Sequence, residues 1–474
     1  MSSEALPTAA AGPPAGVWRS VLDALRGVQQ DYTQGSIGRA IVLLSIPMVL
    51  EMLMESLFAV VDIFFVSKLG ADAAATVGLT ESMLTLIYAL AIGLSMAATA
   101  MVARRVGEKD LEGARVAAVQ AIVLGLILAA PISLAGILAA PDLLRLMGAP
   151  ESVVATGAGY TAVMFGCSFV IFLLFLINAI FRGAGDPAVS MRSLWLANLL
   201  NIGLCPAFVF GWGPFPALGV LGAAVGTTIG RGTGVLYQIW ALRRGSSRIV
   251  LGLGDLKVQW DVITRLARVA APAMFQFLIA TASWLGLVRT IAIFGSSALA
   301  GYTIAIRVII FTILPSWGLS NAAATLVGQN LGAGRPDRAE RSVWRAGLFN
   351  MVFLGLVGIV FLVFAERIAG VFTSDPEVLR HAVSCLRICS YGYPFYAWGM
   401  VLVQAFNGAG DTWTPTWINL GCYWLFQIPF AWTLALPLDL GPTGVFVAIA
   451  VAESMLAVAG LLAFRRGRWK GRRI

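Results

Sequence analysis

Long apolar runs dominate this chain, such as Ala117 to Leu138 and Met351 to Phe364. About 20 apolar residues are enough for a helix to cross a hydrocarbon core. No water reaches the backbone there, so each span must satisfy its own hydrogen bonds, and helices do this within one segment. Hydrophobic residues make up 59% of the 474 positions and charged residues only 12%, against about a quarter charged in soluble domains. The expected fold class is an all-α membrane protein.

The runs place twelve transmembrane helices, at about 41–67, 77–103, 115–140, 153–181, 188–211 and 219–243, then 266–294, 298–329, 341–365, 379–406, 412–436 and 443–465. The expected domains are a disordered and interfacial N-terminus over 1–36, a six-helix lobe over 37–243 and a basic linker over 244–261. A second six-helix lobe follows over 262–465, then a basic tail over 466–474. Residues 1–36 lack the cationic start and apolar core of a signal peptide. Within them Trp18, Val21, Leu22, Leu25 and Val28 share one helical stripe, as expected of a short helix lying on a membrane surface. With the N-terminus inside, inner segments hold about 25 Lys and Arg and outer ones about 5. Both termini are therefore expected in the cytoplasm of a bacterial inner-membrane protein.

An internal repeat runs through the chain at one shift of 225 positions (272 − 47). Pro47 maps to Pro272, Gly93-Leu94-Ser95 to Gly318-Leu319-Ser320, Gly107 to Gly332, and Gly183 to Asp186 onto Gly408 to Asp411. Six is an even number, so both halves enter the membrane the same way. Their axis should lie along the membrane normal, with a cleft between two rocking bundles.

The halves differ in polar residues. Glu51, Glu55 and Asp62 of the first span face Gln276, Ala280 and Leu287 in the second half. At 100° per residue the three acids fall within about 40° and rise about 16 Å. A carboxylate in a span costs several kcal/mol unless paired, hydrated or protonated. Such a stripe should face a watery cavity or a titratable site, although Glu51 and Glu55 also admit an arginine on a neighbouring helix. Asn198 and Asn201 of the fifth span oppose Tyr423 and Phe426. The first half is thus expected to hold the ion-coupling site. The second half carries Tyr391, Tyr393, Phe395, Tyr396, Trp398, Trp413, Trp417 and Trp424, which suit either a cleft for flat lipophilic cations or a lipid-facing belt. Tyr391, Tyr396, Trp398 and Gln276 are the expected cleft residues. Arg231 and Glu453, at similar depth on the last helix of each half, suggest a cross-bundle pair.

Other chemistries find little support. The net charge of +9 lies between the apolar runs and at the tail, which suits anionic headgroups better than a nucleic-acid groove. The cysteines are Cys167, Cys205, Cys385, Cys389 and Cys422, without a CxxC pair, and the only histidine is His381. Neither a zinc site nor a Cys/His pair is expected. The Gly-x-Gly-Asp segments at 183–186 and 408–411 lack a phosphate-loop ending and read as tight turns with an Asp cap.

In Ile46-Pro47 through Val61-Asp62, Asn178 to Pro187, Asn198 to Ile202, Gly211 to Gly222 and Ala322 to Glu340, the chain resembles the multidrug and toxic compound extrusion (MATE) transporters. The resemblance covers almost everything after residue 40. It implies a V-shaped, two-lobe antiporter that exports organic cations against entry of protons or sodium ions. It assigns Asp62 as the first-helix acid of the N-terminal lobe, Asn201 as a fifth-helix partner and Thr227 or Thr228 as a sixth-helix one. One turn after Asn201 the family often has Asp or Asn, whereas this chain has Cys205. A hard cation wants oxygen ligands, so a proton is favoured over sodium. No cofactor is expected, nor an enzymatic activity. The expected partners are small-molecule substrates and membrane lipids, with no nucleic acid, for a monomeric protein. A lipid-linked precursor flippase is the alternative; it would need a strongly cationic cavity, which the acidic first span opposes.

Overall fold

The computed structural model describes residues 17–245, 247–255, 257–472 and 474, apart from the side chains of 17, 58–63 and 253. Twelve spans appear in the expected order. The first lobe comprises α2 (Ile37–Val66), α3 (Ala71–Gly107), α4 (Leu111–Leu146), α5 (Glu151–Gly166) continued by α6 (Ser168–Ala184), α7 (Pro187–Phe210) and α8 (Val220–Arg243). The second comprises α9 (Trp260–Ala292), α10 (Ser296–Gly332), α11 (Pro336–Gly370), α12 (Pro376–Gly408), then α13 (Trp413–Asn419) with a π-helical stretch Leu420–Gln427 and α14 (Ile428–Ala435), and α15 (Pro442–Arg465). Among the described residues, nine helical stretches qualify as spans by length and hydropathy alone. The α8, α12 and α13–α14 segments complete the twelve by their place in the repeat.

The short α1 (Val17–Arg26) buries Ser20 and Ala24, leaves Trp18 and Leu22 exposed, and pairs Asp23 with Arg39 at 3.1 Å. Of its apolar stripe, Trp18, Leu22 and Val28 are exposed and Val21 and Leu25 half-buried.

The repeat in the sequence is a repeat of contacts. Gly93 lies against the Met274 backbone, and Gly318 lies against the backbone of Met48 and Val49. Gly107 meets the carbonyl of Gln329, and Gly332 meets that of Arg104. Each second contact is the first with its partners exchanged between lobes at the same 225-residue shift. A Cβ at Gly107 would stand 2.0 Å from the Gln329 oxygen, so no larger residue fits there without moving a helix. Small residues let helix backbones approach in this way.

These contacts gather at the end that carries α1, the linker and the C-terminal tail, here called the basic end. There the start of α2, through Ile37, Ile41, Leu44 and Met48, packs in one core with Ala323 and Val327 of α10 and Phe406 of α12. The start of α9, through Ile263, Leu266 and Val269, joins the core of the first lobe. Each lobe thus lends the beginning of its first helix to the other.

The two expected Asp caps are not made by the side chains. Asp186 instead accepts from Ser247 Oγ at 2.7 Å and from the Arg248 backbone N–H at 3.1 Å, so it holds the linker. Asp411 lies 3.0 Å from Arg472, so it holds the tail. Ser247 and Arg472 are themselves 225 positions apart (472 − 247), so the segment after each lobe folds back on its own turn. The carbonyl of Arg472 also accepts from Arg104 of the first lobe, and Lys470 pairs with Glu340 at 2.6 Å.

Candidate functional site

A cavity of about 780 Å³ lies between the lobes. Its lining runs from Phe64 and Val77, near the α2–α3 turn, down to Arg182, Ala324 and Gly408. Below that level the contacts of Gly107 with Gln329 and of Gly332 with Arg104 close the basic end. Most of the wall is apolar, with Met52, Ile92, Phe175, Phe311 and Trp317 among its residues. A pocket of this size and character fits a drug-sized molecule.

The first lobe contributes charge to this wall. Arg182 on α6 donates to Glu51 on α2 at 3.0 Å, with both side chains nearly buried. Arg231 on α8 donates to the Tyr88 hydroxyl at 2.9 Å and lies 3.9 Å from Glu55. Its guanidinium also stands over the Tyr88 ring, 5.8 Å from the centroid. Glu81 and the exposed Arg307 line the cavity as well. Three glutamates therefore meet three arginines in the lining. The second lobe contributes amides: Gln404 donates to Asn321 at 2.7 Å, and Asn407 donates to Gln404 at 3.3 Å.

Two acids of the α2 stripe, Glu51 and Glu55, are thus matched by arginines. Glu51 and Glu55 line the cavity, and each has an arginine partner from another helix. Arg182, Glu81 and Tyr88 were not singled out in the sequence, yet a signal was present. Arg182 and Arg231 correspond to Asn407 and Leu456, so both partners of each pair are charged only in the first lobe. The expected Arg231–Glu453 pair does not form. Arg231 is held inside the first lobe, and Glu453 accepts from Tyr423 in the second.

The α2, α7 and α8 helices converge beside this wall. Asn198 is buried and donates to the Met54 carbonyl at 3.1 Å. Asn201, Cys205 and Thr227 are buried too. Gly230 and Gly226 of α8 pack against Asn201 and Cys205 of α7, which brings the Thr227 turn to the same face. Asp62 belongs to α2, and its side chain lies outside the described residues.

The aromatic cleft residues separate. Tyr391 is exposed on the outer surface of α12. Trp398 packs on Gly347, meets the Trp344 ring at a tilt of 60° and donates to the Met351 sulfur at 3.2 Å. Gln276 is buried in α9 and borders neither cavity. Tyr396 lines a second, smaller cavity inside the second lobe. The second lobe's aromatic contribution to the central wall is Phe311 and Trp317 instead.

Comparison with known proteins agrees with this architecture. The MatE family model matches residues 47–207 and again 272–433, the same repeat at the same spacing and more than half of the chain. The protein belongs to the MatE family. It is 26% identical over 454 residues to the probable multidrug resistance protein YoeA of Bacillus subtilis, covering 94% of this chain and 97% of the relative. It is 27% identical over 445 residues to the probable multidrug resistance protein NorM of Thermotoga maritima, covering 92% and 94%. The fold matches a solved multidrug resistance MATE transporter of the MOP superfamily in an outward-facing conformation. That match has a TM-score of 0.86 at 28% identity, over 93% of this chain and 98% of that one. The MatE protein described here is a multi-pass membrane transporter of twelve helices in two lobes.

Proposed function

We propose that this MatE protein is a secondary-active exporter of lipophilic organic compounds, cations among them, driven by proton entry. The supporting observation is the central cavity, walled by both lobes and closed at the basic end. The positive-inside rule puts that end in the cytoplasm, so the cavity faces outward. Its relatives' roles in multidrug resistance fit the apolar wall. Glutamates equal to arginines in number make the lining unlike the strongly cationic cavity that a pyrophosphate-linked lipid would need.

The proposed coupling site is Asp62 with Asn198, Asn201 and Thr227. A sodium ion wants several oxygen ligands at short range, and the position one turn after Asn201 is occupied by Cys205, which offers sulfur. A proton needs one carboxylate whose surroundings alternate as the lobes rock.

Two experiments test this reading. Reconstituted protein should accumulate lipophilic cationic dyes against their gradient, and only while an ion gradient is imposed; dye that merely equilibrates would indicate a passive channel. A phosphatase fused to the C-terminal tail should be inactive, and one fused near Asp142 active. The reverse pattern would overturn the orientation.

A further inference from the structure

We propose that the second-lobe wall of the central cavity binds the acid group of an aromatic organic anion, at Arg307 on α10. The proposal rests on the export reading for what becomes of the bound molecule; binding itself stands apart from transport.

Charge in this cavity is divided between the lobes. Glu51, Glu55 and Glu81 belong to α2 and α3, on the first-lobe side. That lobe also answers them. Glu51 has Arg182, Glu55 has Arg231, and Arg231 feels the charge of Glu81 as well. Arg307 comes from the other lobe and lines the cavity as an exposed residue. It has neither a hydrogen bond nor an ion pair among the described residues. An arginine inside a span is costly, so it faces a watery cavity and marks a ligand pathway. Its guanidinium presents parallel N–H donors that match a carboxylate or a phosphate. The missing partner is therefore an anion that arrives with the ligand.

The neighbours of Arg307 say what the acid is attached to. At 100° per residue, Arg307, Phe311, Leu314 and Asn321 fall within about 80° of one another on α10, and Trp317 lies about 40° beyond. Arg307 thus heads a largely apolar stripe, with Phe311 about 6 Å further along the axis and Trp317 about 15 Å. Phe311 is half open to the cavity. Trp317 stacks on Phe277 of α9 with ring centroids 5.4 Å apart, so its ring is held in place. Aromatic side chains pack best on other flat rings, offset or edge to face. The ligand class is a planar aromatic body with an acid group at one end.

The repeat shows that packing does not require this stripe. Arg307, Phe311 and Trp317 correspond to Ser82, Leu86 and Ile92. The first lobe therefore builds the same helix with no cation and no ring at these positions. The Ser82 hydroxyl donates to the Gly78 carbonyl of its own helix at 2.8 Å. Every other charged residue in the described lining lies in the first lobe, and Arg307 is the exception.

Fluorescence anisotropy of anthracene-2-carboxylate, titrated with the purified protein, tests the proposal, with the uncharged methyl ester as control. A hydrogen bond to a charged group is worth about tenfold or more in affinity. Wild type should bind the acid more tightly than the ester by about that factor. Arg307→Gln should lose the preference while its affinity for the ester stays the same. A wild type without the preference, or a preference that survives in Arg307→Gln, would overturn the site. Should Arg307→Gln elute as aggregate, Arg307→Lys takes its place. The acid should then bind severalfold more weakly with the ester unchanged, and equal acid affinity would refute the guanidinium contact. Phe311→Ala should weaken acid and ester alike; unchanged affinity for both would place the rings elsewhere. Phosphatidylglycerol at equal concentration should not displace the acid. Equal competition would make Arg307 a lipid-headgroup contact and contradict the assignment. Acid binding without export would sink the export reading alone, and dye export without acid binding would sink this site alone.

Discussion

The Arg182 guanidinium on α6 stands 3.0 Å from the Glu51 carboxylate on α2, and the corresponding residues of the second lobe, Asn407 and Gln276, are both neutral. One lobe has kept a charged pair where the other carries two amides. Breaking a buried pair by removing one partner costs about 3–5 kcal/mol, because the other charge stays behind unpaired. Replacing both partners costs far less. Arg182→Asn alone should therefore lower the unfolding temperature of the purified protein by several degrees. The double variant Glu51→Gln with Arg182→Asn should recover most of that loss. A single variant as stable as wild type would show that the pair holds nothing together.

Closure of the basic end rests on close helix approach at Gly107 and Gly332. Gly107→Ala should force α3 away from α10 there, since the new Cβ would overlap the Gln329 carbonyl. Hydrogen exchange at 325–332 should speed up in this variant, because backbone amides exchange through local opening. Unchanged exchange would mean that closure depends on the other contacts of this end.

The start of the linker is tied to the first lobe's turn by the Asp186 carboxylate. Asp186→Ala leaves the Ser247 hydroxyl and the Arg248 amide without their acceptor, at a cost of about 1–3 kcal/mol for buried groups left unsatisfied. Trypsin should then cleave the variant between Arg243 and Lys257 several-fold faster than wild type. Equal rates would show that the Gln120 contacts to Lys257 and Gln259 suffice to hold the linker.

Much of this architecture is legible in the sequence, because apolar length and a constant repeat shift are one-dimensional signals. The spans, the lobes and the polar character of the first half follow from them. The side a residue faces is less legible. Tyr391 and Tyr396 lie five positions apart on α12, yet one is exposed on the outer surface and the other lines a cavity. An aromatic residue in a span serves a lipid-facing belt or a cleft with the same composition. Glu51 and Arg182 are separated by 131 positions, so no local periodicity joins them. Comparing the two halves would have done so, since both depart from neutral counterparts. The π-helical stretch leaves no pattern, because one extra residue in a turn changes the register without changing hydropathy.

Asp62→Asn should abolish coupled transport while the protein still expresses and folds. Asn keeps the size and a hydrogen-bonding head but cannot titrate. Glu51→Gln and Glu55→Gln should be milder, since each of these acids is tied to an arginine. Dye accumulation by proteoliposomes reads the difference. Normal accumulation by the Asp62 variant would make that residue structural.

The most direct test concerns the driving ion. One charge moved across 100 mV supplies about 2.3 kcal/mol and one pH unit about 1.4, so a proton gradient alone can sustain a concentration ratio of tenfold or more. Proteoliposomes with an imposed pH gradient and sodium excluded should accumulate the dye, and a protonophore should collapse the accumulation. Transport that appears only with a sodium gradient, and survives the protonophore, would contradict proton-driven export.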